Sequence, residues 1–384
     1  MPPSRHAILS ASSSHRWLNC PPSARLCETF SDKAGDYAAE GTDAHALCEY
    51  MLRRALGEDV SHFDDIRDSL EHYTSEMEDC ADGYASYVME LVEEAKRNCA
   101  DPVVLIEQRV DVARWVESGF GTADCIVIAD GVLRIIDYKH GLGVLVEAED
   151  NPQMKLYALG ALEAFDGIYD IKTVEMTIYQ PRRDNISTFS ASKVSLYQWA
   201  DDVLKPAADL AFAGEGDFRC GDWCGFCRAK QTCRARADAN MELARQDFRL
   251  PPLLEDDEIE AVLGRLDELT AWANDVKEYA LKTALAGKRW NGWKLVEGRS
   301  NRRYTNDIAV ADAVNRAGYD PYEHKVLGIT AMQKMLGRTL FTDLLSQYLE
   351  KPQGKPALVP ESDKRPVFTP DNTQQAINDF TEEE

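Results

Sequence analysis

Gly121-Thr122-Ala123-Asp124-Cys125-Ile126-Val127-Ile128-Ala129-Asp130-Gly131-Val132-Leu133-Arg134-Ile135-Ile136-Asp137-Tyr138-Lys139 is the stretch whose reading decides the fold. Two apolar, β-branched runs, 121–129 and 132–139, flank Asp130-Gly131, a pair that marks a tight hairpin turn. Side chains two apart on a strand project to the same side, so Asp137 and Lys139 share a face with Ile135. That face is apolar along the strand and turns charged at its end. Asp124 sits on the other arm, within reach of the same point.

Upstream, 103–110 reads as a further strand, apolar except around Glu107. A helix over about 73–97 repeats Tyr84, Tyr87, Val88, Leu91, Val92 and Ala95 at helical spacing. Another runs from Gly41 through Leu52, with Thr42 as its N-cap. A short helical element is expected around His15–Leu18. Downstream, Asn151 or Pro152 opens a helix through Phe165, 173–180 is a strand, and 195–212 is helical. Helix, three-stranded meander, helix, strand and helix describe an α/β core. The pattern breaks at Leu250-Pro251-Pro252. Residues 1–250 are therefore expected as the main domain and 255–350 as a mainly helical accessory domain. The latter opens on a long amphipathic helix over 256–285, then a short β element near Trp290–Val296. The polar, Pro-rich 351–384 is expected to be an extended or disordered tail.

With 384 residues, 44% of them apolar, the chain can bury a sizeable core. No run approaches the roughly 20 apolar residues that span a bilayer, and no apolar stretch of signal-peptide length precedes the Ser10–Ser14 run. A bacterial cytosolic setting without membrane association is the expectation. The net charge of −23 argues against broad adhesion to DNA and leaves room only for local basic contacts. Arg182-Arg183, the Arg228–Arg236 stretch and Arg299/Arg302/Arg303 are the candidates, though each cluster alone reads as solvated surface.

The carboxylates of Asp124 and Asp137 suit Mg²⁺ or Mn²⁺, hard ions that keep room for water and phosphate oxygens. The Tyr138 main-chain carbonyl could complete such a shell. Lys139 would stabilise developing charge or orient a water. Gln153 and Tyr157, four apart, meet on one helix face. His45, near a helix start, could offer a neutral imidazole to the ion. Glu107 needs a partner if buried, either the ion or a salt bridge. An Asp-x-Lys by itself is usually a solvated strand end; Asp124 at hairpin distance makes the two readings even. Cys220, Cys224, Cys227 and Cys233 suit either a structural zinc or an iron–sulfur cluster, and spacing alone does not decide. Cysteines 27, 48, 80, 99 and 125 read as plain thiols.

In order and spacing, His45, Asp124, Asp137, Lys139, Gln153 and Tyr157 resemble the motifs of the PD-(D/E)XK nuclease superfamily. They look most like its RecB/AddB-like branch, which also includes CRISPR-adaptation nucleases. The resemblance covers roughly residues 15–236. It implies a restriction-endonuclease-like core, a mixed central sheet flanked by helices. It also implies metal ligation by His45, Asp124 and Asp137, a catalytic Lys139, and Gln153 and Tyr157 as motif residues of the active-site helix. Members with an iron–sulfur cluster carry one cysteine ahead of the core and a Cys-x-x-Cys-x-x-x-x-x-Cys triplet after it. Cys224, Cys227 and Cys233 match that triplet. Cys20 is placed to be the fourth ligand of a [4Fe-4S] cluster that ties the N-terminal segment to the end of the core, with Cys220 surplus. The expected activity is hydrolysis of DNA, as an exonuclease or end-processing enzyme of phage replication or recombination. Phage single-strand-binding, annealing or other replication proteins are the implied partners. A structure-specific endonuclease and a non-catalytic DNA-binding or scaffolding protein are the alternatives.

Overall fold

The structure, a computed structural model, describes residues 7–30, 36–61, 66–246, 256–296, 306–316, 320–322 and 326–349. The chain divides into two compact units, Met1–Lys288 and Arg289–Glu384. In the first, α1 (Ser14–Asn19), α2 (Ser23–Glu28), α3 (Asp36–Ala55), α4 (Ile66–Ser69) and α5 (Ser75–Asn98) precede the sheet. The sheet holds β1 (Val103–Asp111), β2 (Phe120–Ala129), β3 (Gly131–Tyr138), β4 (Ile171–Gln180) and β5 (Asn185–Ser192), neighbours in space as in sequence. The β1–β2, β2–β3 and β4–β5 pairs are antiparallel, while β3 and β4 run parallel.

A parallel pair cannot be closed by a hairpin, and α6 (Pro152–Phe165) supplies the crossover. Its start is fixed locally. Asn151 caps it, accepting from the N–H groups of Gln153 (3.0 Å) and Met154 (3.3 Å), and Pro152 takes the first turn, where no donor is needed. Residues 154–162 of this helix are all buried. Gly160 permits the close approach: a methyl there would stand 2.7 Å from Val110 Cβ and 3.0 Å from the Asp111 carbonyl. Successive residues of β3 face opposite ways. Asp137 meets Gln153 on α6, whereas Tyr138 packs against His45 of α3 and Tyr84 of α5. Helices therefore flank both faces of the sheet.

Beyond β5 come α7 (Lys193–Trp199), a π-helical turn over 200–204 and α8 (Lys205–Ala213), one nearly continuous helical run whose wide turn sits just ahead of Pro206. Then follow α9 (Arg234–Gln246), α10 (Asp256–Leu263) and α11 (Leu266–Leu285). The second unit contains α12 (Asp307–Arg316), α13 (Ile329–Leu336) and α14 (Arg338–Leu345), the last two packed together. No helix among the described residues is long and apolar enough to cross a membrane.

Several expectations need correction. The helix of His45 begins at Asp36, so Gly41 and Thr42 lie inside it and Thr42 is no N-cap. The long helix over 256–285 is broken at Gly264-Arg265. Residues 290–296 form a turn and irregular chain, not a β element. β5 was not foreseen, because its Ser-rich alternation reads as loop. Its alternately exposed residues mark an edge strand with one wet face. Residues 351–384 and Arg299, Arg302 and Arg303 lie outside the described residues.

The unit boundary falls at Lys288, downstream of the break expected at Pro251. An ion-pair network explains why α11 stays with the first unit. Arg236 of α9, almost fully buried, donates to Glu268 (2.5 Å) and Asp275 (2.6 Å) of α11, and Lys230 adds a contact to Asp275 (3.1 Å). Ending the chain near residue 250 strands the guanidinium without its carboxylates, at a cost of about 3–5 kcal/mol. A chain of residues 1–288 is expected to unfold cooperatively in urea, and one of residues 1–250 to be weakened by that amount or to be insoluble.

Candidate functional site

Three neighbouring strands carry one row of carboxylates. The register that pairs Ile106 with Cys125 and Gln108 with Ala123 leaves Glu107 opposite Asp124. The β2–β3 ladder stops at Cys125↔Ile136, one step short of Asp124 and Asp137. There the Asp124 side chain takes over from the ladder, its Oδ2 accepting the Tyr138 N–H at 2.7 Å. Glu107 sits in the left-handed region (φ 51°), a conformation that costs a non-glycine residue roughly 1–3 kcal/mol and persists where surrounding structure enforces it.

His45 of α3 reaches the row from above, with Nδ1 3.4 Å from Asp124 Oδ2. One donor atom each from His45, Glu107 and Asp124 lies within 4.8 Å of the others. Asp137, 2% exposed, completes the row. Lys139 Nζ pairs with Asp137 Oδ2 at 2.9 Å, and this ammonium is the partner of that buried oxygen. Gln153 ties the remaining groups together. Its Oε1 accepts from Lys139 (3.2 Å), and its Nε2 donates to Asp137 Oδ1 (3.2 Å) and to the Tyr157 hydroxyl (3.0 Å). A flipped amide would set an N–H against the ammonium, so its partners fix its orientation.

The electrostatics show an excess of negative charge. Burial, and then the Asp124 charge, push the Glu107 carboxyl up to about 7. Burial also raises Asp137, although Lys139 pulls the other way. Burial works against ionised Asp124 too, but the His45 charge, the His45 contact and Lys139 outweigh it and hold its carboxyl low. Asp124 in turn raises His45 to about 9 against the opposing effect of burial. Burial disfavours the Lys139 ammonium, yet Asp137 and Asp124 more than compensate and its pKa is raised. Three carboxylates thus face two cations. The donor set of hard oxygens plus one imidazole fits a divalent cation such as Mg²⁺ or Mn²⁺.

All six residues of the expected site, His45, Asp124, Asp137, Lys139, Gln153 and Tyr157, meet here, and Glu107 joins them. Tyr138 adds its N–H, where the sequence pointed to its carbonyl. Beneath the site its hydroxyl bonds His140 Nδ1 (2.9 Å), and His140 Nε2 lies 3.5 Å from Glu40. Glu40 also receives Arg182 (3.0 Å), which reaches Glu76 as well (3.3 Å). Arg182 is therefore committed to carboxylates, Arg183 donates to the carbonyls of Leu142 and Gly143, and Arg236 is buried. All three brace the structure, and of them Arg183 is exposed. His140 and Glu40 had no motif to announce them.

The cysteines gather at a second place. Cys20, Cys224, Cys227 and Cys233 line one small cavity together with Arg16, Lys230 and Arg236. Arg236, whose guanidinium pairs with Glu268 and Asp275, has its buried Nη2 without a hydrogen-bond partner. Cys220 is not among the lining residues and has its Sγ 3.8 Å from Glu268. Cys27, expected to be a plain thiol, lies with Sγ 3.7 Å from Cys227, whose hydrogen bond draws its pKa down to about 5. Nothing local in the sequence marks this contact, which spans 200 residues.

Gly121, in the Gly-x-x-Asp element, owes its identity to the site. A methyl at that position would lie 2.6 Å from the Tyr157 ring. Gly121→Ala is expected to cost about 1–3 kcal/mol in urea unfolding through overpacking. Gly141→Ala, in open space, serves as the neutral control.

The chain belongs to the family described as "Protein of unknown function (DUF2800)", whose model matches residues 6–366. It is also similar to a solved structure described as "Crystal structure of SSO0001". The two share 12% identity over 58% of this chain and 96% of that one, with a TM-score of 0.23. So loose a likeness has no bearing on the fold.

Proposed function

We propose that this member of the DUF2800 family is a divalent-metal-dependent deoxyribonuclease acting at DNA ends, built on a restriction-endonuclease-like core. One observation carries the reading. His45, Glu107 and Asp124 bring ligand atoms together where β2 and β3 part, and the buried Asp137 stands next in the row, paired with a lysine that Gln153 orients.

His45, Glu107, Asp124 and Asp137 are the residues that would hold the ion. A bound Mg²⁺ or Mn²⁺ would polarise a phosphate oxygen and acidify a water. Lys139, kept protonated by two carboxylates, acts as a charge and hydrogen-bond donor to the phosphate oxygens, not as a proton acceptor. Gln153 holds that ammonium and the Asp137 carboxylate in fixed relation, and Tyr157 anchors Gln153 in turn.

We read the cysteine cavity as the seat of an iron–sulfur cluster, with a structural zinc as the alternative. Arg16, Lys230 and Arg236 supply the positive surroundings that a thiolate-bound cluster needs. By position, Cys20, Cys224, Cys227 and Cys233 are its ligands, and Cys27 is a neighbour of one of them.

Two measurements test these assignments. Purified protein is expected to degrade end-labelled linear DNA with Mn²⁺ and to spare circular DNA. Asp137→Ala and Lys139→Ala should each lower the rate on the order of 10²-fold or more without changing the circular dichroism spectrum. Undiminished cleavage by folded Asp137→Ala protein would overturn the site. Anaerobically purified protein is expected to contain iron and acid-labile sulfide in near-equal amounts. Both should be lost in Cys20→Ser and retained in Cys220→Ser; stoichiometric zinc in their place would contradict the cluster.

A further inference from the structure

Between Lys139 and Gln153 the chain leaves the sheet and returns as α6. Residues 141–145 of this connection, Gly-Leu-Gly-Val-Leu, are all exposed, with Leu142, Val144 and Leu145 about half accessible or more. A run of consecutive exposed apolar residues is a liability on an ordinary surface and marks one that has a use.

The loop is also held in shape. Gln180, almost fully buried, devotes its whole carboxamide to it. Its Nε2 donates to the carbonyls of Gly141 (2.9 Å) and Val144 (2.8 Å), and its Oε1 accepts the Val146 N–H (3.2 Å). Arg183 donates to the Leu142 carbonyl, Asn185 to that of Val146 (2.9 Å), and Ser187 Oγ accepts the Ala148 N–H (2.9 Å). With the backbone braced from β4 and β5, the apolar side chains are left pointing outward. Both ends of the loop are pinned to site residues, Lys139 before it and Gln153 after it. A phosphate that reaches Lys139 therefore carries its flanking bases past the loop.

We infer that residues 141–145 form an apolar wedge that enters the base stack at a DNA end, unstacks the terminal pair and leads one strand to the carboxylate row. This inference rests on the nuclease reading and adds a substrate form to it: a duplex end opened by the protein. The loop carries no charge from Gly141 to Val146, so its insertion desolvates none. Of the acids that follow the loop, Glu147 accepts from Ser187 (2.7 Å) and Asp150 pairs with Lys155 (2.7 Å), while Glu149 and Asp150 are exposed beyond the apolar stretch. Leucine-sized side chains are what architectural proteins insert between base steps.

The test places 2-aminopurine at the terminal pair of a blunt duplex. Lys139→Ala protein is added with Ca²⁺, so that binding is read without hydrolysis. Fluorescence is expected to rise, and to stay at the free-duplex level when Leu142→Ser, Val144→Ser and Leu145→Ser are added, although anisotropy still reports a complex. In the otherwise unaltered protein, the same loop substitutions should slow hydrolysis of blunt duplex by at least about tenfold, which corresponds to about 1.4 kcal/mol of the unstacking cost. Hydrolysis of a single-stranded oligonucleotide should be spared. Equal fluorescence with and without the loop side chains, or equal slowing on both substrates, would overturn the wedge. Loop-dependent unstacking by a protein that hydrolyses neither substrate would sink the nuclease reading and keep the wedge as a DNA-end contact. Hydrolysis with no unstacking would remove the wedge alone.

Discussion

Like charges packed side by side at the edge of a protein core are the constraint on which the rest of this structure depends. Two such charges about 4 Å apart repel by about 4 kcal/mol at the effective dielectric of a protein boundary, a large share of the roughly 5–15 kcal/mol that keeps a domain folded. Glu107, Asp124 and Asp137 occupy adjacent strands in one row, and the protein meets the repulsion with His45 and Lys139. The compensation is incomplete, which pushes the Glu107 carboxyl up to about 7. A fold that needed only stability would have placed apolar residues here. The incomplete compensation is the arrangement that a cation would finish.

Much of the surrounding architecture serves to hold that row. The Asn151 cap sets the phase of α6 so that Gln153 and Tyr157 face β3. Gly160 lets the helix sit close to the sheet, and Gly121 makes room for the Tyr157 ring. Below the strands, the Tyr138–His140–Glu40–Arg182 chain buttresses the other face of the same strand end. Far from the row, Arg236 couples α9 to α11 and lines the cysteine cavity, so one buried guanidinium serves both the fold and that cavity.

The hairpin, the strand of Glu107 and the active helix were legible because each rests on local chemistry: an Asp-Gly turn, β-branched runs and an Asn-Pro helix start. The site was legible where its residues are two or four apart, as with Asp137/Lys139 and Gln153/Tyr157. Glu107 could not be secured, because its role depends on cross-strand register with Asp124, which no local pattern encodes. Cys27 was missed for the same reason, its contact being with a residue 200 positions away. β5 escaped because an edge strand with one wet face carries serine and threonine where a buried one carries valine. The partners of Arg182, Arg183 and Arg236 were not legible, because a basic cluster looks the same in sequence whether it meets water, carboxylates or backbone carbonyls.

The central claim is that the carboxylate row binds a divalent cation, and Mn²⁺ titration followed by electron paramagnetic resonance addresses it without any nucleic acid. Protein at micromolar concentration should remove close to one equivalent of the free-ion signal. Asp124→Asn, which keeps the shape of the side chain and discards its charge, should abolish that uptake in a protein that stays folded with a lower thermal unfolding midpoint, because the His45 imidazolium loses the carboxylate it pairs with. No uptake by the unaltered protein at millimolar Mn²⁺, or uptake unchanged in the Asp124→Asn variant, would contradict the account.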